Sequence, residues 1–198
     1  MNQTNKTNKF ESEFYNKLDK LHKRLKFDES TYHHSLKVAE YSKQFNKLVN
    51  TGINPDMIYY SGLFHDIGKI ELDLALLNKK NSFNNDEFNM IKKHSILGYD
   101  IMKKFLMPIE MQHAALYHHE RWDGKGYPMK LKEQEIPLVA RIISICDVFD
   151  ALTSDRPYRK AFTLDEALDM MYNSKDQFDQ ELLKLFFDNL GSIIGKNS

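Results

Sequence analysis

The chain has 198 residues, enough for one domain with a sizeable core. Its 28 basic and 28 acidic residues cancel, so its overall charge calls for neither a nucleic-acid polymer nor an anionic membrane as partner, although a small anion needs only a local cluster of cations. Cys146 is the single cysteine, which excludes an intramolecular disulfide and a thiolate-rich zinc site.

Residues 1–9 are polar, lack the apolar run of a signal peptide, and are expected to form a disordered tail ahead of one domain over 10–198. No apolar stretch is long enough to span a bilayer, and the chain reads as soluble and cytoplasmic. A helix is expected over 30–49, where His34, Val38, Tyr41, Phe45 and Leu48 share a face. A second opens with Asn54 as N-cap and Pro55 at its first position, and runs into His65. A third covers 85–105, with Ile91, His94, Gly98, Ile101 and Phe105 on one stripe, and a fourth covers 109–119. Glycines and a proline then mark a loop, Asp123-Gly124-Lys125-Gly126-Tyr127-Pro128. A fifth helix spans about 137–152, a sixth opens on a Thr163/Glu166 capping box, and the last covers 179–190. A short strand near 70–74 stays open, but the expected class is all-α, a compact helical bundle.

The chain carries eight histidines, and a lone one on an apolar stripe is usually a satisfied core residue. Here several share a pattern. His34 and His94 lie on the core-facing stripes of their helices. His65 precedes Asp66 at a helix end, His118 and His119 close another helix, and Asp147 sits in the apolar run 142–149. An unpaired buried carboxylate costs several kcal/mol, so Asp147 needs a metal, a hydrogen-bond set or a cation such as Arg141 or Arg156. Imidazoles and carboxylates converging from separate helices can build a di-metal site in a bundle core. Without thiolates such a ligand set suits iron, manganese or zinc. Two ions about 3.5–4 Å apart can hold a hydroxide and clamp a phosphate for in-line attack.

Three blocks carry a resemblance. They are His65-Asp66-Ile67-Gly68-Lys69, the stretch from His118-His119-Glu120 through Gly126-Tyr127-Pro128, and Asp147-Val148-Phe149-Asp150-Ala151-Leu152-Thr153-Ser154-Asp155-Arg156-Pro157-Tyr158-Arg159. In this order, with His94 between the first two, they resemble the HD-GYP branch of the HD phosphohydrolases over about 28–190. The resemblance implies a helical domain that hydrolyses cyclic di-GMP, a bacterial second messenger, to linear pGpG, GMP or both, by attack of a metal-bridging hydroxide. It implies His34, His65, Asp66, His94, His118, His119 and Asp147 as ligands of two divalent ions, with Asp66 bridging. Asp66 and Lys69 are the implied catalytic residues, and Lys69, Arg156 and Arg159 the implied phosphate contacts. Phosphodiester hydrolysis builds charge on oxygens that metals and arginines stabilise, which agrees with those roles.

His33 lies out of phase with the His34 stripe and is expected on the surface, and His22 and His113 match no ligand position. Where some family members carry a glutamate for a third metal this chain has Ser30, so two ions are expected, and 70–74 lacks the family's usual glycine and proline. The Gly126-Tyr127-Pro128 loop can shape the pocket mouth or meet a regulatory partner, and Trp122 beside it can stack on a guanine or simply pack. Two other readings stand beside the first: an HD phosphohydrolase acting on another nucleotide, and a weakly active nucleotide- or partner-binding module. The sequence leaves the metal's identity, cyclic di-GMP against a mixed cyclic dinucleotide, and the oligomeric state open.

Overall fold

In the computed structural model, which describes residues 3–79, 81–155 and 159–195 (backbone only for 3–10), helix follows helix. They are α1 (Gln3–Leu25), α2 (Glu29–Val49), α3 (Pro55–Phe64), a short α4 (Leu74–Leu77), α5 (Asn85–Lys104), α6 (Ile109–Tyr117), α7 (Leu138–Thr153), α8 (Leu164–Asn173), α9 (Gln180–Asp188) and α10 (Leu190–Ile193). Among the described residues no helix is long and apolar enough to cross a membrane.

Capping explains many of the boundaries. Asp28 accepts a hydrogen bond from Thr31 N at 2.7 Å to start α2, and Asn54 accepts from Asp56 N at 2.8 Å to start α3, with Pro55 at its first position as expected. Asn84 with Glu87 and Thr163 with Glu166 form reciprocal capping boxes at α5 and α8.

Three features depart from the sequence reading, and the question left open at 70–74 is answered. Helix α1 takes in most of the stretch expected to be a disordered tail, since nothing between residue 3 and Leu25 breaks a helix. Its Leu18, Leu21 and Leu25 are buried at helical spacing against Leu63, Phe64 and Ile67, a signal that the sequence reading passed over. Residues 67–71 form a turn of 3-10 helix, and Asp73 then caps α4 by accepting from Ala75 N at 2.8 Å, so no strand forms near 70–74. The fourth helix ends at Tyr117 and leaves His118 and His119 in the following turn, and the last helix breaks at Asn189.

Two apolar clusters hold the bundle. In one, Phe45, Phe149 and Phe186 meet edge-on, with Phe186 5.3 Å from each of the other rings. The other joins α1 to α3, α5 and α6 through Leu21, Phe64, Met102 and Met111. Each such fully buried side chain contributes about 1.5–3 kcal/mol. Helix α2 packs on α3 and α7, and α6 packs on α3, α5 and α7, so the helices bearing the histidines and aspartates are mutual neighbours. Gly68 brings the 3-10 turn against α5: a Cβ there would collide with the His94 carbonyl, so only glycine lets Asp66 approach His94.

Candidate metal centre and its cavity

The side chains that the sequence singles out converge on Asp66. Its Oδ2 lies 3.3 Å from His65 Nε2 and 3.9 Å from His34 Nε2. Its Oδ1 lies 3.3 Å from His94 Nε2 and 3.7 Å from His118 Nε2. Asp147 Oδ1 completes the first side, 2.9 Å from His34 Nε2 and 3.9 Å from His65 Nε2. His119 joins the second, its ring 4.1 Å from that of His118 and 5.0 Å from that of His94. Two ligand groups result, His34, His65 and Asp66 on one side and Asp66, His94, His118 and His119 on the other, with Asp66 common to both.

The hydrogen bonds decide what these rings offer. A carbonyl oxygen only accepts, so a ring nitrogen bonded to one must carry the proton. His65 Nδ1 donates to Gly62 O at 2.7 Å, His94 Nδ1 to Ile91 O at 2.7 Å and His118 Nδ1 to Ala114 O at 2.9 Å. In the neutral rings each Nε2 is therefore a bare lone pair pointed inward. Nε2 of His94 and Nε2 of His118 face each other at 3.2 Å, where two lone pairs repel. His65 Nε2 and Asp66 Oδ1 are buried with no hydrogen-bond partner. Orphaned acceptors in a dry interior are costly, and a cation satisfies all of them at once. The donor set of neutral imidazole and carboxylate fits divalent ions.

Protonation agrees. Burial holds His94 down to a pKa of about 3, with Asp66 opposing. Burial first, and then His118 and His94, push His119 well below its ordinary value. Burial tends to raise Asp66, but Lys69 and His65 outweigh it and hold the carboxyl well below its usual range. Burial likewise disfavours the charged form of Asp147, and the hydrogen bond and charge of His34 overcome that cost and hold the carboxyl well below its usual range. His94 and His119 are thus held toward the neutral form, while Asp66 and Asp147 are held charged.

Residues that the sequence reading did not single out position this set. Asp150, wholly buried, lies 2.6 Å from His34 Nδ1 and orients that ring, as carboxylates behind metal-binding histidines do. Glu120 is buried and accepts from Met129 N at 2.6 Å and Leu131 N at 3.1 Å, tying down the loop that carries Gly126-Tyr127-Pro128. Tyr127 lays its ring 4.8 Å from His119, and Gly126 has no room for a Cβ against Arg121 N and Glu120 Cα. Asp150 was legible as a second aspartate one helical turn after Asp147; nothing local marks Glu120.

Other expectations are sorted by the same geometry. Arg141 pairs with Asp179 at 2.6 Å, so it is not the partner of Asp147, and it lies 5.7 Å from the Trp122 ring, giving that ring a packing role. Lys69 Nζ rests on Asp66 Oδ2 at 2.5 Å. Arg159 donates to the carbonyls of Ala151, Leu152 and Lys160 at 2.6, 3.3 and 2.7 Å, closing the C-terminal end of α7, so a phosphate contact would compete with those bonds. Arg156 lies outside the described residues. His33 is exposed beside Glu29, His22 meets Tyr32 Oη at 2.8 Å, and His113 packs near Tyr117, all apart from the cluster. Ser30 lines a cavity of about 310 Å³ that reaches the centre from its His34 side, together with His33, Lys37, Asp150 and Asp155.

A second cavity, of about 450 Å³, reaches His118, His119 and Asp147 from solvent. Its wall carries Lys92, Arg121, Lys125 and Lys130, together with Phe88, Tyr127 and Ser144. A chain with no net charge thus concentrates cations at the mouth of its acidic, histidine-lined centre.

The HD domain family matches residues 17–182. The chain belongs to the HD domain family. Over 172 residues it is 34% identical to the cyclic di-GMP phosphodiesterase PA4108 of Pseudomonas aeruginosa, covering 83% of this chain and 40% of that protein. Over 145 residues it is 40% identical to the 3'3'-cGAMP-specific phosphodiesterase 1 of Vibrio cholerae, covering 71% of this chain and 33% of that one. The chain thus spans well under half the length of these relatives. The fold is similar to that of Bd1817, an HDG"Y"P protein from Bdellovibrio bacteriovorus, with a TM-score of 0.65 and 21% identity over 80% of this chain and 52% of that one. The HD-GYP resemblance carried by the three motif blocks holds for this HD domain.

Proposed function

We propose that this HD domain is a metal-dependent phosphodiesterase that hydrolyses a cyclic dinucleotide, cyclic di-GMP in the first place, to pGpG, GMP or both. The observation that carries the reading is the set of inward lone pairs, from His65, His94 and His118, around an Asp66 carboxylate whose two oxygens face different ligand groups. Divalent ions held there would polarise a phosphoryl oxygen and acidify water. His34, His65, Asp66 and Asp147 would hold one ion and Asp66, His94, His118 and His119 the other. Iron or manganese leads the choice, with zinc the further option. Asp66, whose oxygens face both groups, would be shared by the two ions, and Lys69, hydrogen-bonded to it, stands where it can neutralise a phosphate oxygen. Arg156 is assigned to a substrate phosphate, and Arg159 joins it by exchanging one carbonyl partner for a phosphate oxygen. The same reading places the protein in the cytoplasm.

Protein purified without oxygen should contain a transition metal and cleave cyclic di-GMP, and a chelator should abolish the reaction. Asp66→Ala should remove hydrolysis, and full activity in that variant would end the enzyme reading. Arg156→Ala should weaken turnover while leaving metal content unchanged, and lost metal would show its role to be misassigned. A second reading rests on the 40% identity to a phosphodiesterase named as specific for 3'3'-cGAMP. Faster turnover of the mixed GMP–AMP cyclic dinucleotide than of cyclic di-GMP in the same assay would decide for it.

A further inference from the structure

One wall of the larger cavity carries two residues that none of the three motif blocks contains, Phe88 and Lys92. Phe88 and Lys92 stand one turn apart on α5, near its start. Lys92 Nζ lies 4.5 Å from the centre of the Phe88 ring and 5.7 Å from that of Tyr127, whose ring in turn lies 4.8 Å from His119. An aromatic ring, an ammonium and a second aromatic ring therefore step outward from the metal ligands along one wall. Phe88 is 45% exposed. A single exposed phenylalanine is ordinary, and a Phe–Lys pair four residues apart is a common helix-surface contact. What sets this pair apart is that both side chains line the cavity that ends on His118, His119 and Asp147, and that the ammonium is shared with a ring from a different segment.

A cyclic dinucleotide presents two phosphates and two flat bases. When one phosphate is held at the metal ligands, the remainder of the molecule must extend along the cavity wall. We infer that Phe88 and Lys92 form a subsite for the half of the substrate that is not being cleaved, Phe88 stacking on its nucleobase and Lys92 holding its phosphodiester. This rests on the proposed cyclic-dinucleotide function. Every base has a π-face, so stacking on Phe88 tolerates guanine and adenine alike, while the ammonium selects for the second negative charge. A substrate with one phosphate and one base would leave the subsite unfilled.

The test uses the full metal-loaded chain and a slowly cleaved phosphorothioate analogue of cyclic di-GMP, with affinity measured by calorimetry alongside turnover of cyclic di-GMP itself. Phe88→Ala should weaken analogue binding about tenfold, within the range for losing one base–aromatic stack. Phe88→Trp should restore it, which mere packing at an exposed site would not require. Lys92→Met should weaken binding about tenfold or more and Lys92→Arg should retain it. Metal content should match the wild type in all four. Unchanged affinity in Phe88→Ala and Lys92→Met overturns the subsite, as does a loss that Trp and Arg fail to rescue or that tracks lost metal. A wild type that does not bind the analogue also overturns it. A wild type that binds the analogue through these two residues but leaves cyclic di-GMP intact keeps the subsite and removes the proposed reaction.

Discussion

Asp150 stands behind the His34 ring on the side away from Asp66, and replacing it should be felt at the metal. Its Oδ2 lies 2.6 Å from His34 Nδ1, its Oδ1 accepts from Ser154 Oγ at 2.8 Å, and Lys37 Nζ is 3.7 Å away. Asp150→Asn keeps the shape but removes the charge and leaves one acceptor oxygen where two were in use. Either His34 loses the acceptor that holds its Nδ1 proton, or the ring takes the other tautomer and presents a protonated Nε2 that cannot bind a metal. Loss of such a supporting carboxylate weakens metal affinity about 10–100-fold, equivalent to about 1.4–2.7 kcal/mol. At a metal concentration that saturates the wild type, the metal-induced rise in Tm should shrink by about 3–10 °C for a chain of this length. Competition against a fluorescent chelator gives the affinity, and thermal unfolding with and without metal gives the Tm difference. If Asp150→Asn binds metal as tightly as the wild type and keeps the full Tm rise, the orienting role of Asp150 is wrong.

Gly126→Ala should destabilise the protein by about 1–3 kcal/mol, because its Cβ meets backbone atoms of Arg121 and Glu120 rather than a side chain that can swing away. An unchanged denaturant midpoint would show that the Tyr127 loop is free to shift. The metal-free protein should lose stability as pH falls from 6.5 toward about 3, because unfolded His94 takes up its proton in that window while the folded ring stays neutral. Asp66 and Asp147, both held below their ordinary range, extend the loss at the acid end, where the unfolded carboxylates protonate first. Urea midpoints measured in chelator on either side of pH 6.5 check this, and a flat profile would refute the burial argument.

Much of the metal centre was legible because its chemistry is carried by residue type and helical phase. His34 and His94 fall on the apolar stripes of helices bounded by readable caps, and both are buried. His33, one position out of phase, is exposed. Helix α1 is harder to read, because the recurrence of Leu18, Leu21 and Leu25 at spacings of three and four is diluted in a largely polar segment that becomes a helix face only by packing on Leu63, Phe64 and Ile67. The arginines show where residue type runs out. Arg141 and Arg159 are both cations near the Asp147 helix, and sequence could not say which carboxylate or carbonyl each would find.

By itself the sequence determined which groups can ligate a metal, which helices carry them, and the motif order that marks an HD domain, because periodicity and capping act within a few residues. Only the tertiary structure decided that the two oxygens of Asp66 face different ligand groups. It also decided that Asp150 and Glu120 support the centre from behind, and that Phe88 and Lys92 share a wall with Tyr127. Those relations join residues far apart along the chain, and they exist only once close approaches such as Gly68 against His94 fix how the helices meet.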